Sequence, residues 1–313
     1  MNRFLYSFII WLGIPFALLK ILLKDSHDPS WKVKLKNQLG FVPKISDRVI
    51  WIHSVSVGEF NASKPLVDNL LDQYPKYKIL LTTTTITGSV AVKNHYKNKI
   101  IHCFFPFDSK LIIKSFLRKI QPEICILMET EIWPNLIHTI NKKNIPVCLI
   151  NARLSEKSFN KYQKFSPKLV SETLRKLTLI CSQNTFSSTR FIKLGANEQS
   201  LINTGSLKFD SDDSIDVDLA NSLRQMVGDR LVSVFASTRD GEERLIIESY
   251  LKHKDQMNCL LVIIPRHPER FDEAAKIAKG FGLNVNRRSE AENWSEDNDI
   301  LVGDSMGEMM AYY

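Results

Sequence analysis

The sequence predicts an α/β protein with two Rossmann-like units behind an apolar N-terminal helix. Three observations carry this reading. From residue 48 onwards, short apolar runs of strand length alternate with amphipathic helical stretches. The alternation breaks in the acidic tract "FDSDDSIDVD" (209–218) and then resumes. The 313 residues suit two domains of ordinary size.

The first element is "FLYSFIIWLGIPFALL" (4–19), uncharged and mostly apolar, with Lys20 and a further "ILL" behind it. About 20 apolar residues are needed to cross hydrocarbon, and this run reaches that length only if Lys20 snorkels. It has no small-residue cleavage site, so residues 1–24 are expected to form a membrane-associated helix, either a short span or an interfacial one, rather than a removable signal. Lys24, Lys32, Lys34, Lys36, Lys44 and Arg48 follow. Such a basic flank keeps the next domain cytoplasmic and draws it towards anionic lipid. Deletion of residues 1–23 is expected to release the protein from membranes.

An N-terminal domain is expected over 25–208, with strands at 48–54, 78–84, 100–105, 123–128, 146–151 and 177–182. Short apolar strands alternating with helices make a parallel sheet covered on both faces. In 60–74, Phe60, Leu66, Val67, Leu70, Leu71 and Tyr74 keep a helical spacing. Pro65 requires that helix to start near Ser63 or to bend. The tract 209–218 reads as a linker, and its Asp-x-Asp triplets, like that at 297–299, read as solvated loop. The second domain, over 209–313, has strands at 230–237, 259–265, 283–288 and 299–303, with helices near 241–253 and 268–280. Four strands are few for a doubly wound sheet, so this domain is expected to be incomplete.

Composition narrows the function classes. Apolar content of 44 % and charged content of 24 % fit a globular chain and exclude disorder or collagen. Cys103, Cys125, Cys148, Cys181 and Cys259 sit in or beside apolar runs, none in a CxxC, and read as buried thiols of a cytosolic protein. A net charge of +8 with pI near 9.1 suits nucleic acid, a membrane or an anionic substrate. The basic residues are dispersed and no nucleic-acid motif occurs, so no nucleic-acid partner is expected. GxGxxG after a strand, the P-loop, GxSxG and HExxH are absent, and the seven histidines lack metal-ligand spacing. These absences count against a dinucleotide enzyme and a motif-defined metal site.

Polar clusters fall after the strands, where open parallel sheets bind ligands. They are "HSVSVGE" (53–59), "TTTTITGS" (82–89), "METEIWPN" (128–135), "NARLSEKS" (151–158), "ASTRDGEE" (236–243) and "PRHPER" (265–270). Glu59 is either a reactive carboxylate or an ordinary helix-start glutamate, whose pKa the helix dipole lowers unless burial offsets it. Glu129 and Glu131 are a pair fit for acid–base work, or one of them caps a helix. Ser237 or Thr238 reads as a helix cap. Arg266 suits a phosphate, whereas His267 reads as structural.

Taken together, "HSVSVGE", "METEIWPNLI", "NARLSEKS", "TGSLKFD", "STRDGEE", "IIPRHPERF" and "GDSMGEM" resemble, in that order, the 3-deoxy-D-manno-octulosonic acid (Kdo) transferases. The resemblance implies a GT-B fold of two Rossmann-like domains facing across a cleft. It implies transfer of Kdo from CMP-Kdo to the lipid A precursor of lipopolysaccharide, at the cytoplasmic face of the inner membrane. It implies no required metal and no cofactor. By the same match Glu59 is the general base, and Glu129 and Lys208 stabilise the transition state. Pro265, Arg266, Met306, Gly307 and Glu308 contact the CMP of the donor. The family continues past "MGEM" with a Gly-rich segment, so the chain is expected to be truncated. Calorimetry should show weak or absent CMP binding, and micromolar affinity would contradict this. The competing reading is an inactive relative that acts at most as a membrane-bound interaction protein.

Overall fold

The computed structural model describes residues 1–210, 216–254 and 259–313. Two compact units emerge, Met1–Asp212 and Asp213–Tyr313. The first opens with α1 (Arg3–Lys24) and α2 (Trp31–Gln38). β1 (Val49–His53), α3 (Val57–Gln73), β2 (Lys78–Thr83), α4 (Ile86–Tyr96) and β3 (Ile101–Phe104) follow. Next come α5 (Lys110–Ile120), β4 (Pro122–Met128), α6 (Pro134–Asn141) and β5 (Val147–Ala152). The unit closes with α7 (Glu156–Phe165), α8 (Pro167–Leu174), β6 (Leu179–Ser182), α9 (Thr185–Lys193) and β7 (Leu201–Asn203).

These strands form one parallel sheet in the order β3-β2-β1-β4-β5-β6-β7. The chain leaves β1 towards one edge and restarts at β4 towards the other. Loops after β1 and β4 therefore diverge and open a crevice at their carboxyl ends. Successive strand residues point to opposite faces, and each face has its own core. Trp51, Cys125 and Leu127 pack with Phe116 on one side, while Ile50, Ile52 and Ile126 pack with Phe60 and Val67 on the other. That double burial is why these strands read as unbroken apolar runs. The six expected strands are present to within two residues at each end. β7 was not visible in the sequence because it is three residues long with two of them exposed.

Ser56 caps α3, so the helix starts at Val57 and not near Ser63, and Pro65 lies inside it. All five cysteines are buried and free. The basic flank is partly engaged elsewhere: Lys34 is buried against Asp25 at 2.8 Å, and Arg48 pairs with Glu123.

The second unit contains α10 (Val217–Val227), β8 (Leu231–Thr238), α11 (Glu242–His253), β9 (Cys259–Pro265), α12 (Phe271–Gly280), β10 (Val285–Arg287) and β11 (Ile300–Val302). Its parallel sheet runs β10-β11-β9-β8. Ile247, Leu261, Ile263, Ala274, Ala278 and Val302 fill one face. The linker expected over 209–218 is shorter than that span. Asp216 accepts from the Leu219 amide at 2.9 Å and caps α10, with Leu223 buried behind it. Aspartate at the cap offsets an unpaired helix amide, so acidity there marked a helix start. Residues 211–215 of that tract lie outside the described residues. Asp299 is no solvated loop residue either: it pairs with Lys254 at 2.7 Å and accepts from the Asn284 amide.

Candidate active site

Glu59 is the third residue of α3, at the crevice beside the end of β1. Its Oε2 accepts from the Val55 amide at 2.7 Å, while its own amide faces Ser56 Oγ at 3.5 Å. Ser56 thus caps the helix while Glu59 reaches back to the residue before the cap, a variant of the capping box that fixes both the helix start and the carboxylate. Burial pushes the Glu59 carboxyl up to about 7 against the Val55 hydrogen bond, with the nearby Glu131 and Glu129 charges acting in the same direction as burial. Desolvation outweighs the helix start here. A carboxyl poised near neutral pH accepts a proton far better than one at its ordinary value.

Glu129 follows β4 directly and holds φ at 56°, the left-handed region that side chains disfavour. Its amide donates to Ile150 O at 2.9 Å, which locks this conformation. Among the described residues its carboxylate takes no hydrogen bond and no ion pair. Strain of about 1–3 kcal/mol is tolerated where the surroundings over-determine a site. Glu131 is engaged instead: Oε2 accepts from Trp133 Nε1 at 2.7 Å and lies 3.6 Å from His53 Nε2. Neither glutamate caps α6. That task falls to Asp108, which accepts from the amides of Asn135 (3.1 Å) and Leu136 (2.7 Å).

His53 closes β1 fully buried, stacked on Phe105 at 3.7 Å, with Nδ1 3.0 Å from Thr82 O. Sequence reasoning passed over it, although a histidine ending an apolar strand just before "SVSVGE" was the available signal. Asn151, with φ 54°, accepts from the Leu207 amide at 3.2 Å. It thereby anchors a short 3-10 turn, Leu207–Phe209, that presents Lys208. Leu207 also packs against the core face under α3. Glu59, Glu129 and Lys208 thus share the carboxyl end of one sheet, although Lys208 lies about 150 residues beyond Glu59.

In the second unit Pro265 ends β9 buried, and the Arg266 amide donates to Thr238 O at 3.0 Å while its side chain is exposed. After the neighbouring β11, Met306 is exposed, Gly307 turns at φ 85°, and Glu308 pairs with Arg288 at 3.2 Å. All five residues expected at the donor therefore gather at one end of two adjacent strands. The cap of α11 is Gly241, not Ser237 or Thr238. Thr238 is occupied otherwise: its Oγ1 donates to Glu243 Oε1 at 2.9 Å, and Arg270 binds Glu243 Oε2 at 2.9 Å and Asp240 at 3.1 Å. Arg270 was missed because Asp240 and Glu243, which give it its buried role, lie about 30 residues away in sequence.

A family model described as 3-deoxy-D-manno-octulosonic-acid transferase (Kdo transferase) matches residues 33–211. The 3-deoxy-D-manno-octulosonic acid transferase of Haemophilus influenzae is 37 % identical over 320 residues, spanning 100 % of this chain and 74 % of that protein. The chain belongs to the Kdo transferase family. A second Kdo transferase, from Bordetella pertussis, is 34 % identical over 84 % of this chain, which spans 63 % of that relative. Among solved structures, UDP-GlcNAc 2-epimerase from Neisseria meningitidis matches with a TM-score of 0.54 at 12 % identity, over 85 % of this chain and 74 % of that one. At that identity the likeness is of fold, and it is the GT-B fold expected of this glycosyltransferase family.

Proposed function

We propose that this Kdo transferase family member moves Kdo from CMP-Kdo to the lipid A precursor in lipopolysaccharide biosynthesis, with Glu59 as general base. One observation carries the reading: a half-buried carboxyl held near pH 7 at the crevice between β1 and β4. In the reaction an acceptor hydroxyl oxygen bonds to the anomeric carbon of Kdo. Its proton passes to Glu59, and the bond from that carbon to the CMP phosphate oxygen breaks with its electron pair on CMP. Glu129 offers negative charge to the sugar as it becomes cationic, and Lys208 offers positive charge to the departing phosphate. Arg266, with Pro265 and Met306–Glu308, supplies the contacts that hold CMP. Incubation with the lipid A precursor and CMP-Kdo, the donor supplied at concentrations that offset the weak CMP binding expected of this chain, should release CMP and yield a Kdo-bearing lipid by mass spectrometry. Absence of that product from a protein that binds both substrates would reject the assignment.

The lipid acceptor gives α1 a purpose. Among the described residues α1 is the one helix long and apolar enough to cross a membrane. It is, however, fastened to the first unit at both ends. Tyr6 donates to Asp108 at 2.8 Å and Ser7 to Asn135 at 2.9 Å, while Ile21 is buried. Those points lie about 22 Å apart along the helix, so α1 runs along the unit and turns Phe4, Phe8, Trp11, Phe16 and Leu23 outward. Such a helix lies in the membrane interface rather than across it. Deleting it would also uncover Asp108, so substitution is the cleaner test. Trp11→Ser, Phe16→Ser and Leu23→Ser together should weaken vesicle partitioning at least about a hundredfold. Unchanged sedimentation would remove α1 as the anchor.

A further inference from the structure

Where α1 begins, a cleft of about 520 Å³ opens against α5 and α6. Arg3, Lys110, Lys114, Lys142 and Lys143 line it, and no carboxylate does. None of these five cations is ion-paired with a carboxylate among the described residues. His138 completes the lining, 9 % exposed, with its buried Nε2 lacking any hydrogen-bond partner. We propose that this cleft binds the headgroup phosphate of an anionic membrane phospholipid, with the lysines and Arg3 supplying both charge and hydrogen-bond donors.

Three features favour this ligand. Five unpaired cations around one concavity repel one another unless an anion enters, and phosphate takes charge-assisted hydrogen bonds from several donors at once. His138 is held neutral by burial and by Arg3, Lys176 and Lys142, with its pKa lowered to about 4, so the charge of the cleft is that of the four lysines and Arg3. Phe4, 84 % exposed, forms part of the cleft wall and starts the apolar side of α1. A phosphate seated here can therefore lay its acyl chains along that side, and in this respect the proposal rests on α1 lying in the membrane interface. The linear sequence hid the site. It advertised the basic flank at 24–48, whereas these cations come from residue 3, from α5 and from the turn after α6, more than 100 positions later.

The test uses the full chain and vesicles of phosphatidylcholine with or without phosphatidylglycerol. A cleft variant carries Lys110→Gln, Lys114→Gln, Lys142→Gln and Lys143→Gln. A control of equal charge carries Lys76→Gln, Lys93→Gln, Lys97→Gln and Lys99→Gln, all exposed elsewhere on the unit. Each cation near an anionic surface strengthens binding about fivefold. The cleft variant should lose at least about tenfold more affinity for phosphatidylglycerol vesicles than the control, with no extra loss on phosphatidylcholine. Equal losses in the two variants would overturn the proposal and leave only diffuse attraction. The His138 ring signals in nuclear magnetic resonance, which are independent of net charge, should shift with short-chain phosphatidylglycerol and stay still with short-chain phosphatidylcholine. A response to inorganic phosphate but not to the lipid would assign the cleft to a soluble anion and overturn it as well. The serine variant of α1 separates the two ideas, because loss of the anchor weakens binding to both vesicle types.

Discussion

Glu59→Gln is expected to lower Kdo transfer by about a hundredfold to ten-thousandfold while leaving the fold intact. General-base catalysis contributes about 10²–10⁴ in rate, and an amide cannot take the proton. The fold survives because glutamine keeps the length and an oxygen acceptor, so the Val55 amide retains its partner at the start of α3. The pH dependence gives a second readout. With the carboxyl at about 7, the unsubstituted protein gains its active carboxylate as pH rises, so its rate climbs through pH 7 and levels off above it. The residual rate of the variant should lack that limb. Stability moves the other way. A carboxyl whose pKa is raised on folding binds its proton more tightly in the folded state, so this contribution is complete below about 4.5, its ordinary value, and is lost as pH rises towards 7. Thermal melts should therefore show the glutamine variant gaining on the parent above neutrality and not in acid. A variant that keeps both the rate and its acid limb would move the base to Glu129 or Glu131.

This poise also explains why Glu59 could be found but not weighed from the sequence. Its place at a turn after a strand and before a helical pattern was legible, since "RVIWIHS" precedes it and the helical spacing starts at Phe60. Its protonation was not, because the outcome depends on burial and on Glu129 and Glu131, which reach it through the pairing of β1 with β4. Local pattern located the strands for the same reason: each is buried on two faces and reads as an apolar run. It failed where the determinant is non-local or small. β7 has three residues and little burial, α10 begins on an aspartate that looked like linker, and His53 acquires meaning only from Phe105, Thr82 and Glu131. The seven ordered motifs pointed to the family to which the chain belongs, because ordered strings carry information that periodicity lacks.

Arg270→Ala is expected to destabilise the second unit by about 3–5 kcal/mol, the usual cost of removing one partner from a buried ion pair. The Glu243 side chain is fully buried, and Arg270 is 13 % exposed. Without the guanidinium, the carboxylate keeps, among the described residues, only the Thr238 hydroxyl at 2.9 Å, too little to offset its desolvation. The effect reaches the proposed donor site because Thr238 is shared: its hydroxyl binds Glu243 and its carbonyl accepts from the Arg266 amide. Hydrogen exchange should accordingly rise in α11 and at the end of β9 before it rises in the first unit, and the denaturation midpoint of the second unit should fall. The pair Arg270→Met with Glu243→Gln distinguishes a charge effect from lost packing, since removing both charges leaves no unpaired ion and should recover most of the stability. If the single variant melts unchanged, Glu243 has another partner on relaxation, and the Thr238–Glu243–Arg270 cluster does not fix the loop that carries Arg266.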